Sequence, residues 1–294
     1  MHMSTAHLIF RGLFACAVTV ALAFSAQAAP LKPFKDELFS YGTVLETADG
    51  GDYRVVDYQE MRDINGRDQV PERRAKRAYV SLGAKSQQAN ETIDAAGRPL
   101  DVTRVGAARG AAFSVIFIHG RGGDRRLGAN DWSFGGNFNR LKNLAVENGG
   151  VYYAPSVRSF DDAGVADIAG LIAYAQQQSP GRPVVLACAS MGSFICWGIT
   201  RNPQAVAALK GMMIMGGPAD PTFSKSAAYK RKLPVFFSHG SADSVYAAAD
   251  QIALYRALKA AHYPSRFVLF QTGSHGTPVR MTDWRDALNW IGVD

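Results

Sequence analysis

Cysteine is nearly missing from this chain. Three occur in 294 residues, and Cys16 falls in an N-terminal stretch set aside below. The other two, Cys188 and Cys196, have no metal-ligand spacing, and no further cysteine is available to complete a zinc site. They read either as a disulfide or as two small buried apolar side chains. Nucleotide signatures are also missing: no Walker Lys-Ser/Thr ending and no G-x-G-x-x-G. Basic residues are plentiful but not interleaved with aromatics, which leaves nucleic-acid binding without support. After the first 29 residues no run is long and apolar enough to cross a bilayer. There is no internal repeat, low-complexity block or linker that would split the chain.

What is present begins with a leader. Arg11 is the only charge before Lys32, residues 12–24 are apolar, and Ala26-Gln27-Ala28 closes the stretch. A basic start, an apolar core and a small-x-small site predict a signal peptide over residues 1–28, cut after Ala28. An uncleaved anchor is the alternative. A lipoprotein box at Leu13-Phe14-Ala15-Cys16 is opposed by the bulky Phe14. Export to the periplasm or the medium follows as the expected localisation. Residues 29–294 fit one α/β domain, with no membrane span once the leader is gone. Losing Arg11 takes the formal charge from +7 to +6. The basic clusters at residues 72–77 and 230–232 read as solvated faces, or as attraction to an anionic envelope surface or substrate.

The mature chain divides by pattern. Residues 29–110 read as short β pieces, with candidate strands at 53–58, 78–80 and 99–105 and a polar loop at 84–98. From residue 111 onward, short apolar runs alternate with segments of helical period. That is the pattern of a mostly parallel sheet with crossover helices on both faces. Candidate strands are 113–118, 151–154, 184–189, 211–215, 235–237 and 266–270, continuously apolar as doubly buried strands should be. Candidate helices are 137–147, 165–178, 191–200, 247–261 and 282–291.

In open parallel sheets, functional residues collect on loops at the carboxyl ends of strands. Four such ends carry reactive residue types. Ala189-Ser190-Met191-Gly192 places a serine on a tight strand-to-helix turn, with Cys188 where G-x-S-x-G has its first glycine. His119-Gly120-Arg121-Gly122-Gly123-Asp124 is a glycine-rich turn that can aim backbone N–H groups at one point. With the N–H of Met191, the N–H of Arg121 would hold an oxyanion. His239-Gly240-Ser241-Ala242-Asp243 supplies a carboxylate, with Asp220 the competitor. Gly273-Ser274-His275-Gly276 carries the histidine best placed on a loop. Each motif alone also reads as an ordinary turn. Their joint order, Ser190, Asp243, His275, is the order of a nucleophile–acid–base triad on this architecture.

These motifs resemble those of the α/β-hydrolases, and most nearly the small carboxylesterase, acyl-thioesterase and dienelactone-hydrolase-like branches. The resemblance covers residues from about 105 onward and implies that residues 29–110 add the antiparallel N-terminal strands. It implies catalytic Ser190, Asp243 and His275, an oxyanion hole from Arg121 and Met191, and no metal or organic cofactor. The implied activity is hydrolysis of carboxylic esters or thioesters through an acyl-enzyme. The alternatives are a peptidase or amidase of the same fold and a silent binding protein on its scaffold. The expected partner is a small-molecule, lipid or polysaccharide ester; oligomeric state is left open. Residues 216–234 leave room for one short helix rather than a cap. Trp132, Phe134, Phe223, Tyr229 and Tyr246 are candidates to line a pocket. Arg121, Arg125, Arg126, Lys230 and Arg231 are candidates for a positive rim.

Overall fold

The computed structural model describes His2 and residues 30–293. The expected leader lies, His2 apart, outside the described residues. The described strands are β1 (Val44–Ala48), β2 (Tyr53–Val56), β3 (Asp68–Gln69), β4 (Arg74–Ala75), β5 (Gln88–Asp94), β6 (Pro99–Gly106), β7 (Ser114–Ile118), β8 (Val151–Pro155), β9 (Val184–Ala189), β10 (Leu209–Met215), β11 (Val235–Gly240) and β12 (Ser265–Phe270). Ten form one sheet in the order β1-β2-β12-β11-β10-β9-β7-β8-β6-β5. From β2 across to β8 the neighbours are parallel. Antiparallel pairs close both edges, β1 with β2 and β6 with β5 and β8.

The continuously apolar runs do what their composition requires. Every residue of β7, β8, β9 and β11 is buried. One apolar cluster joins one face of the sheet to the helices Asp162–Gln178, Gly192–Ile199 and Ala248–Ala260. The other joins the opposite face to Asn137–Glu147 and Trp284–Ile291. β7 has β8 on one side and β9 on the other. The connections therefore reverse direction there, and a crevice opens beyond the strand ends.

The segment before residue 111 departs from expectation in an instructive way. It does not stay together. β5 and β6 extend the sheet beyond β8, while β1 and β2 cross to the far edge and pair beside β12. Tyr53 holds that edge by stacking on Phe267 at 5.8 Å, and Asp52 bonds both Lys259 and Arg266. The polar stretch 84–98 contains the seven-residue β5. It reads as loop because it is an exposed edge whose cross-strand partners are polar: Thr92 with Asp101, Asn90 with Thr103 and Glu91 with Arg104. Residues 78–80 are not a strand; Arg77–Tyr79 is a 3₁₀ turn that sets Tyr79 edge-on to Phe39.

Near the C-terminus the expected helix 282–291 is present as Trp284–Ile291, with a further short helix before it. Thr277–Met281 is a short helix directly after His275. Trp284–Ile291 follows separately, because Asp283 accepts from the N–H groups of Arg285 and Asp286 and starts a new helix. The helix expected from residue 165 begins at Asp162, where Asp161 plays the same capping part.

Candidate active site

The turn after β9 is shaped by what little space it leaves. Ser190 sits at φ 52°, in the left-handed region, which costs a non-glycine residue about 1–2 kcal/mol. Its N–H is held by the Met215 carbonyl at 3.0 Å. The helix Gly192–Ile199 starts against β7 so closely that a Cβ on Gly192 would lie 2.6 Å from the His119 carbonyl oxygen. A Cβ on Gly120 would lie 2.8 Å from the Ser190 Cβ. Glycine is therefore required at both positions for the two loops to meet. Cys188, in the place of the usual first glycine, is buried in β9 and bonded to Cys196 of the following helix. The two cysteines left open by their spacing are a disulfide that brackets Ser190.

The glycine-rich loop after β7 is locked by His119, which is 2 % exposed. Its Nε2 accepts from the Val157 N–H at 2.9 Å, so its proton sits on Nδ1, which donates to the Gly120 carbonyl at 2.8 Å. Burial pushes the affinity of this ring for a second proton below the ordinary histidine value. In a trans peptide the carbonyl and the next N–H point in opposite directions. Fixing the Gly120 oxygen toward His119 thus fixes the Arg121 N–H the other way. Neither the Arg121 nor the Met191 N–H donates to another group among the described residues. Both are available as donors.

The loops after β11 and β12 are pressed together as closely. A Cβ on Gly240 would lie 2.2 Å from the Gly273 carbonyl oxygen, and Ala242 N–H donates to that oxygen at 2.9 Å. The Asp243 side chain is fully buried, and its Oδ1 accepts from the N–H groups of Val245 and Tyr246 at 2.8 and 3.1 Å. Its Oδ2 accepts from His275 Nδ1 at 2.8 Å. That leaves the His275 Nε2 lone pair for the hydroxyl of Ser190, 2.9 Å away. The three side chains, from residues 190, 243 and 275, form one hydrogen-bonded line. Asp220, the competing carboxylate, is turned elsewhere: it bonds Arg201 and Thr222.

The matching family model is the alpha/beta hydrolase family, over residues 115–292. The chain belongs to that family. No curated protein matches it. Among solved structures, this α/β-hydrolase is similar to a thermostable esterase at 15 % identity and a TM-score of 0.56, covering 71 % of this chain and 63 % of that one. The chain thus spans under two thirds of that esterase. It is also similar to an α/β serine hydrolase without a lid from Xanthomonas campestris, at 22 % identity and a TM-score of 0.50, covering 70 % of this chain and 94 % of the other. An esterase from Pyrococcus furiosus is similar at 13 % identity and a TM-score of 0.52, covering 72 % and 94 %. At these identities the likeness is one of fold.

Around the α/β-hydrolase site, the candidate lining needs correction. Phe223 is buried and packs on Trp197, Tyr229 and Tyr263, and Tyr229 stacks on Tyr263. Trp132 lies under Arg74, and Phe134 packs on Phe138. Of the five aromatics, Tyr246 alone packs against the line, its ring 5.8 Å from His275. Two grooves instead flank the 218–221 loop. One, of about 560 Å³, is lined by Phe160, Val165, Phe194, Trp197 and Pro221, with Arg201 and Asp220. The other, of about 520 Å³, is lined by Tyr246, Pro218, Ala219 and Leu254. Sequence reasoning missed Phe194, though it falls four residues after Ser190, one helical turn along. The expected positive rim also breaks up. Arg126 pairs with Asp124, and Arg231 bonds carbonyls where β10 begins, at the opposite end of the sheet.

Proposed function

We propose that this α/β-hydrolase is a serine hydrolase of carboxylic esters or thioesters, acting through Ser190, His275 and Asp243. The observation that carries the reading is the hydrogen-bonded line from the Asp243 carboxylate through His275 to the Ser190 hydroxyl. His275 takes the proton as Ser190 Oγ attacks the acyl carbon, and Asp243 holds the Nδ1–H tautomer and stabilises the imidazolium. The tetrahedral oxyanion is received by the Arg121 and Met191 N–H groups. Collapse expels the alcohol or thiol with the proton from His275. Water, deprotonated by the same ring, then releases the acid from the acyl-enzyme.

The span between β10 and β11 holds only a 3₁₀ turn (Phe223–Lys225) and a helix of one turn (Ala227–Lys230). The His275 side chain is 29 % exposed, which supports an accessible, modest acyl or ester group. The two grooves offer apolar room on either side of the 218–221 loop, and the one lined by Tyr246 lies beside His275. Export follows from the leader pattern and stands with this proposal.

The test is a panel of p-nitrophenyl esters from acetate to long-chain acyl, run beside acyl anilides. Turnover of short or medium esters with little on anilides is the expected outcome. Anilide turnover matching ester turnover would replace the esterase reading with an amidase one. No turnover of either, with no labelling by a fluorophosphonate, would leave a binding scaffold.

A further inference from the structure

Asp243 has a second histidine behind it. His239, the next-to-last residue of β11, is fully buried. Its Nε2 lies 3.0 Å from the Tyr246 carbonyl oxygen and 3.2 Å from Asp243 Oδ2. Its Nδ1 lies 2.9 Å from Gln251 Oε1. The Gln251 amide is oriented by its other atom: Nε2 donates to the Gly217 carbonyl at 2.6 Å. Turning that amide over would set two oxygens against each other at the same distance.

Every polar atom facing the His239 ring is therefore an acceptor. A neutral imidazole carries one donor and one acceptor nitrogen. Either neutral tautomer would direct a lone pair at an oxygen 2.9 or 3.0 Å away. Rotating the ring would replace nitrogen by carbon at both contacts. Only the doubly protonated ring satisfies both sides.

We propose that His239 is held as an imidazolium between Gln251 and Asp243, as a positioning residue for the Ser190–His275 pair. The proposal rests on the reading of Asp243 as the carboxylate that orients His275. A buried charge is tolerated where it is paired and hydrogen-bonded, and here each member meets that condition. Asp243 accepts from Val245, Tyr246 and His275, with the His239 ring at ion-pair distance; His239 donates to Tyr246 and Gln251. The carboxylate is gripped at both oxygens and cannot rotate away from His275.

The cation has a second effect. It offsets part of the negative field that Asp243 applies to the His275 ring. The titratable groups facing this cluster are few. Asp243 is on the loop after β11, His275 on the loop after β12, and the Tyr246 phenol packs on His275. The helix Ala248–Ala260 presents the neutral Gln251, while its Asp250 is exposed. The loop after β10 presents only the Gly217 carbonyl.

The direct test is ¹⁵N NMR of wild-type protein labelled at histidine, with His239 assigned through its backbone. Both of its ring nitrogens should carry protons at about pH 7. One bare ring nitrogen would overturn the proposal. The second readout is the pH dependence of fluorophosphonate labelling in wild type, His239→Gln and His239→Leu. Gln keeps a donor at this position but removes the charge. The acid limb should then move to higher pH by about one unit, with the maximal rate within about 10-fold of wild type. Leu removes donor and charge, and the maximal rate should fall about 10²-fold or more. Superimposable acid limbs for wild type and His239→Gln would overturn the charged state. A folded wild type that does not label would contradict the hydrolase reading, while the NMR result would still decide His239.

Discussion

Around Ser190, position is set by space; around Asp243, hydrogen bonds to the carboxylate are added to a close approach at Gly240. On the first side, Gly120, Gly192 and Gly217 each sit where a Cβ would meet a neighbour at under 3 Å. The serine is forced into a positive φ, and the disulfide closes the turn from behind. On the second side, the carboxylate accepts from three donors, the Val245 and Tyr246 N–H groups and His275, with His239 at ion-pair distance and itself bonded to Gln251 of the following helix. A steric half tolerates no added volume but is indifferent to charge. A polar half tolerates conservative changes of shape but fails when a donor or a charge is lost.

Variants chosen to separate the two halves should show it. The largest effect is expected at Asp243→Asn, which keeps the volume but offers an N–H toward His275 and favours the wrong tautomer. Turnover of p-nitrophenyl acetate should fall about 10⁴-fold, with KM little changed. A loss of under tenfold would mean that another group orients His275. Gly120→Ala adds one methyl against Ser190 and displaces the loop carrying the Arg121 N–H. A kcat loss of about 10²–10³-fold is expected, and a crystal structure of the variant should show the loop moved.

Cys188→Ala with Cys196→Ala removes the bracket without touching the hydrogen-bonded line. A nine-residue closed loop predicts a stability loss of about 2–3 kcal/mol in denaturant unfolding. Labelling of Ser190 should survive at temperatures where the variant stays folded. Loss of labelling in a folded variant would give the disulfide a part in placing the serine.

The smallest effect concerns His119. Its ring is held neutral by burial and by accepting from Val157, so its proton affinity is lower folded than unfolded. The unfolded chain therefore binds more protons as pH drops below about 6.5, the ordinary histidine value. The stability this ring contributes is complete above that pH and declines as pH falls toward the folded-state value. His119→Asn should lower stability at neutral pH but flatten the decline below about pH 6.5. An unchanged slope would mean that another group titrates there.

The steric half was the legible half. Glycines flanking a serine after an apolar run, and glycines after an earlier strand, are local signals, and the parallel core followed from its continuous apolar runs. The Asp243 side was legible only in part. The carboxylate and His275 could be named from their places after successive strands. His239 read as no more than the start of its loop, because its partner Gln251 lies on another element. The same cause hid β5, whose polar edge face looks like loop until its partner β6 is seen. It also hid the crossing of β1 and β2 to the β12 edge, which rests on contacts such as Tyr53 with Phe267, more than 200 residues apart. What depends on neighbours in sequence could be read; what depends on neighbours in space could not.

The central claim is that Ser190 is an activated nucleophile, and intact-protein mass spectrometry after fluorophosphonate treatment tests it most directly. Wild type should gain a single adduct, mapped by peptide sequencing to Ser190, and Ser190→Ala should gain none while remaining folded. An unlabelled, folded wild type, or an adduct on another residue that persists in Ser190→Ala, would contradict the account.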